Sequence, residues 1–134
     1  MRPKVDTITT NVEIIYTDGV SEQWLLELCE GKNPEEFFKG ALYTVREALH
    51  GRHVPYHIFP SLKFFIHKPL PRMEGKATGL CGRNKRLIIL WIGEEFIVTL
   101  FHELIHWFAD TPDPTMPEER IEELALAIWQ EDAA

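Results

Sequence analysis

Cysteine is scarce in this chain: only Cys29 and Cys81 occur, in unrelated settings. A disulfide framework is therefore excluded and a reducing compartment expected. Basic residues are also in deficit. Fourteen Lys and Arg against 21 Asp and Glu leave a formal charge of −7 at pH 7. The densest basic run, Arg83-Asn84-Lys85-Arg86, suits a hairpin turn better than a phosphate contact, so nucleic acid is not an expected partner. No apolar run is long enough to cross a membrane, and Met1 to Asp6 lack the apolar core of a signal peptide. A cytoplasmic location is the expectation. Repeats, low-complexity tracts and long linkers are missing as well. What remains is 45% hydrophobic and 26% charged over 134 residues. That composition and length predict a single domain over residues 1–134 with a core of its own. Nothing in it specifies an oligomeric state.

The local patterns predict an α+β domain. Asn11 to Tyr16 reads as a strand rich in β-branched residues, ended by Asp18-Gly19. Ser21 suits the cap of a short helix to about Glu30, with Gly31 as its stop. Asn33-Pro34-Glu35-Glu36 supplies a cap, a first-turn proline and an acid for a helix to about His50, ended by Gly51. After a loop, Leu62 to His67 is a second strand. Ala77 to Gly82 and Arg86 to Ile92 then form an antiparallel hairpin. The first arm is a glycine-rich edge; the second is apolar on both faces, as a central strand is. The expected sheet is small, mixed or antiparallel, of about three or four strands packed on helices. A helix over residues 94–109 follows, apolar nearly all round and so buried on most sides. A last helix, glutamate-rich, runs to about Trp129, with Thr115 and Glu118 as the two halves of a capping box.

The chemistry lies in the buried helix, in Thr99-Leu100-Phe101-His102-Glu103-Leu104-Ile105-His106-Trp107. His102 and His106 are four residues apart and share one helix face, so both imidazoles can reach one metal ion. Glu103 projects about 100° away and stands beside that ion. This is the HExxH pattern, in which two histidines hold zinc and the glutamate serves as general base. Two incidental histidines in a core helix are the plain alternative.

Zinc of this kind needs a third protein ligand. A histidine six residues after His106 is excluded, because Pro112 holds that position. The last helix offers Glu118, Glu119, Glu122 and Glu123. With Ile121 at 0° and about 100° per residue, Ile121, Leu124, Ala125 and Ile128 define the buried face. Glu122 lies near 100°, at its edge, while Glu119 and Glu123 point away. Glu118, near 60°, is occupied by its capping role. Glu122 is the preferred ligand, with Glu118, Glu119 and Glu123 as the other possibilities.

On His102-Glu103-Leu104-Ile105-His106 and a glutamate from the following helix, the chain resembles the gluzincins, zinc peptidases with HExxH on one helix and a glutamate ligand on a later one. The order of elements before the motif is similar too: edge strand, hairpin, central strand, metal helix. The short length resembles minimal single-domain gluzincins and the repressor-cleaving peptidases of phages and mobile elements, the ImmA/IrrE group. Neither the Glu-Ala-Asn signature of that group nor the Asn-Glu signature of larger gluzincins is present. The resemblance covers about residues 75–129. It implies a zincin-like domain over residues 1–134 and a peptidase that acts on a peptide or protein substrate. Zn2+ would be held by His102, His106 and Glu122, with Glu103 as base. The edge Gly79-Leu80-Cys81 would bind extended substrate through backbone hydrogen bonds. His57, His67, Tyr56 and Tyr43 are oxyanion candidates that more often serve structure. Cys81 could block zinc as a thiolate, or simply be a small buried thiol. The alternative to an enzyme is a catalytically silent zinc-binding regulatory or interaction module derived from a peptidase.

Overall fold

The computed structural model describes residues 9–17, 19–29, 31–68, 78–82, 86–93, 95–109 and 116–133. In chain order they form β1 (Asn11–Tyr16), α1 (Glu22–Leu28), α2 (Pro34–Gly51), β2 (Ser61–His67), β3 (Thr78–Cys81), β4 (Leu87–Trp91), α3 (Phe96–Ala109) and α4 (Glu118–Ala133).

The local caps explain several of these boundaries. Asn33 Oδ1 accepts hydrogen bonds from the Glu35 and Glu36 amides at 2.9 and 3.3 Å, and Pro34 fills the first turn of α2. Gly31 takes φ +78°, and its amide reaches the Leu26 carbonyl to close α1. Ser21 holds the N-cap position of α1 but makes no side-chain capping bond. Gly51 does not stop α2, which includes it; the left-handed residue there is His53, at φ +57°. The capping box expected from Thr115 and Glu118 lies outside the described residues at its Thr115 end; Pro117 presents the carbonyl that accepts the Arg120 and Ile121 amides. Glu118 is the first helical residue.

The four strands lie in the order β1-β2-β4-β3. β1, β2 and β4 run parallel, so the expected α+β fold on an antiparallel sheet is corrected: the body of the sheet is three parallel strands. A parallel step cannot be closed by a tight turn and needs a crossover, which α2 supplies between β1 and β2. The hairpin pairing is seen only at the margin, where β3 runs antiparallel to β4 with Gly79 opposite Leu90 and Leu80 opposite Ile89. β4 is thus central, between β2 and β3.

Leu62, Phe64, Ile66, Ile88 and Leu90 are fully buried on one sheet face. Phe38 of α2 stacks on Phe64 at 4.5 Å between ring centroids and meets Phe96 of α3 at 6.3 Å. α2 and α3 therefore cover the same face, and α4 packs on α3 through Ile121, Leu124, Ala125 and Ile128. α3 is covered along its whole length: none of its residues is exposed, and Trp107 and Phe108 are completely buried. Each such aromatic or Leu side chain contributes about 1.5–3 kcal/mol relative to exposure.

Two side chains in this core carry measurable consequences. Arg46 of α2 is buried, with its guanidinium 5.9 Å from the Tyr43 ring, and its Nε and Nη2 atoms have no hydrogen-bond partner. Such a group costs about 1–3 kcal/mol. Arg46→Met should raise the melting temperature by a few degrees, and a lower one would show that the cation is compensated. Cys29 is fully buried, and burial pushes its thiol up to about 11. Thiol titration of the native protein should modify the half-buried Cys81 first, with Cys29 reacting only on unfolding.

Candidate metal centre

α3 carries the two histidines one turn apart, with ring centroids 5.0 Å from each other. Their side chains are 13% and 18% exposed, partly open at the seam where the first turn of α4 crosses. Glu118 bridges them. Its Oε1 is 2.5 Å from His102 Nε2 and its Oε2 is 3.0 Å from His106 Nε2. Burial pushes the Glu118 carboxyl up, but the charges of His106 and His102 and the hydrogen bonds to both outweigh it. The net effect holds it below its ordinary value, so it is an ionised donor at neutral pH.

Glu122 approaches the other side of the same imidazole, with Oε2 at 2.6 Å from His102 Nδ1. The two glutamates therefore stand in different places. One ligand atom each from His102, His106 and Glu118 lies within 4.8 Å of the others, a spacing that could hold a metal ion. Glu122 falls outside that set and orients the His102 ring from behind. With a metal at Nε2, a carboxylate on Nδ1 would hold the proton there and leave the Nε2 lone pair for the ion. The cluster thus contains Glu118 rather than the expected Glu122; all four glutamates of this helix are exposed, and contact with the histidines, not burial, singles out Glu118 and Glu122.

Glu103 is buried beside this cluster, with its side chain 8% exposed and Oε1 3.9 Å from His102 Nε2. It projects toward β3. A Cβ built on Gly79 would stand 2.5 Å from Glu103 Cγ and 3.0 Å from Thr99 Cγ2. The expected substrate edge, Gly79-Leu80-Cys81, accordingly lies at the margin of the sheet and touches the expected base.

The four oxyanion candidates are tied to other parts of the fold. The His57 amide donates to the Phe108 carbonyl, and its ring packs on Phe59. His67 Nδ1 is 2.7 Å from Thr17 Oγ1, and its ring stacks on Trp91. Tyr56 Oη meets His50 Nδ1 at 3.3 Å, and Tyr43 lies under Arg46.

The donor set is two imidazoles and one carboxylate, the borderline nitrogen and oxygen ligands that suit zinc and its first-row neighbours. No protein-family model matches this chain, nor does any curated protein or solved structure.

Proposed function

We propose that the protein is a zinc-dependent peptidase of the gluzincin type. The observation that carries this reading is the joint arrangement of a three-donor cluster and a buried carboxylate. His102, His106 and Glu118 converge within 4.8 Å, and Glu103 stands 3.9 Å from His102 Nε2.

His102, His106 and Glu118 would hold the ion, with Glu122 orienting His102. Zinc, when bound, supplies Lewis acidity and lowers the pKa of water toward about 7. The remaining work belongs to the chain. Glu103 takes the proton of the attacking water and returns it to the leaving amine as the peptide bond breaks. Its burial keeps the carboxylate away from bulk water, so the proton passes between the reacting groups. β3 lies at the sheet margin and offers backbone groups to an extended peptide, which would add as a further strand.

The test joins metal analysis to hydrolysis of a quenched peptide library by the purified protein. About one equivalent of zinc and cleavage that stops on chelation and returns with added zinc are expected. Full zinc content without cleavage of any peptide would favour a silent zinc-binding module, and less than half an equivalent would remove the site itself.

A further inference from the structure

We infer that Gly79 is a positioning residue for Glu103: the missing side chain on β3 is the space in which the stem of the general base lies. The catalytic meaning of this inference rests on the peptidase reading; its steric content does not.

Glycine is a poor choice inside a strand, since it adds backbone freedom and no packing. Two reasons ordinarily retain it. One is a left-handed backbone, but the described glycines with positive φ are Gly19 and Gly31, and Gly79 is not among them. The other is close approach, and here it is severe. A Cβ at Gly79 would lie 2.5 Å from Glu103 Cγ, 3.0 Å from Thr99 Cγ2 and 3.1 Å from Leu90 Cδ2. Thr99 and Glu103 are one turn apart on the same face of α3, and Leu90 is the register partner of Gly79 on β4. The glycine therefore sits in a corner made by helix and sheet together.

The three contacts differ in what they permit. The Leu90 and Thr99 methyl groups can yield by a few tenths of an ångström. Glu103 Cγ is in the middle of a side chain whose carboxylate is already buried, so it can clear a new methyl only by rotating the whole side chain. Rotation moves the carboxylate away from the His102 Nε2 side, where it now stands at 3.9 Å. A displacement of about 1 Å in a reacting group can cost on the order of 10²-fold in rate. The same contact sets how near the substrate edge stands to the base, because the strand that would pair with a peptide touches the carboxylate that would serve it.

The test is a double-variant cycle with two readouts. In the hydrolysis assay, Gly79→Ala should keep its zinc and lose more than about tenfold in kcat, with KM within about twofold. A smaller loss in kcat would overturn the inference. Thermal unfolding then compares Gly79→Ala in the native background and in Glu103→Ala, where Cγ is gone. The loss in melting temperature should fall by more than half in the second background. An equal loss in both backgrounds would overturn the inference, and this result stands even if no peptide is ever cleaved. Should Gly79→Ala fail to fold alone, recovery of folding in the double variant supports the contact, and a double variant that also fails to fold refutes it.

Discussion

Glu118→Ala is expected to cost the protein most of its zinc, whereas Glu122→Ala should still fill at saturating metal. Apparent zinc binding in small structural sites is worth about 10–16 kcal/mol, so one of four ligands carries about 3 kcal/mol, or roughly 10²-fold in affinity. Glu118 faces the Nε2 atoms of both histidines, and its removal takes away a donor outright. Glu122 touches only Nδ1 of His102, so its removal loosens one ring and should weaken binding by about tenfold, the low end for such orienting groups. Competition with a chromogenic chelator measures both. If Glu122→Ala proves the weaker binder, the two roles are reversed.

Glu103→Gln is expected to retain zinc and to lose peptide hydrolysis by about 10²–10⁴-fold, the usual worth of a positioned general base. The amide has the same size, so the corner made by Gly79, Thr99 and Leu90 remains filled. What is lost is the ability to take a proton. Cleavage persisting at the native rate with full zinc would mean that the base is another residue and that the mechanism is wrong.

Much of this site was legible in the sequence, and its limits have physical causes. That His102 and His106 share one helix face was legible because a fixed spacing on one helix is purely local information. The burial of α3 and the inward stripe of α4, with Ile121, Leu124, Ala125 and Ile128 all buried, were legible for the same reason. Glu118 was passed over although its phase near 60° already put it inside the inward arc. The difference is one of register: Pro117 presents the first carbonyl and Glu118 opens the helix, which brings its carboxylate to both histidines. The sheet was misread because only neighbours in sequence were paired. The 18-residue α2 between two apolar strands was the available signal for a parallel crossover. That β4 would be central was correct, since apolar character on both faces reports position in a sheet without reporting direction. The nearness of Gly79 to Glu103 had no such local sign, because it depends on how α3 crosses the sheet margin.

His102 lies within 4 Å of three carboxylates: Glu103 at 3.9 Å, Glu118 at 2.5 Å and Glu122 at 2.6 Å. With all three ionised and both imidazoles neutral, as ligands to a metal must be, the site carries three negative charges. A divalent cation would reduce the total to one negative charge and a monovalent cation to two, so the surroundings themselves select for higher valence. That residual charge also ranks the molecules that can approach. A phosphodiester would arrive carrying a charge of the same sign, whereas an amide carbonyl arrives neutral and develops its charge only as the bond is attacked. On the peptidase reading, the corner would meet its substrate as a neutral amide and take up charge only as the bond is attacked.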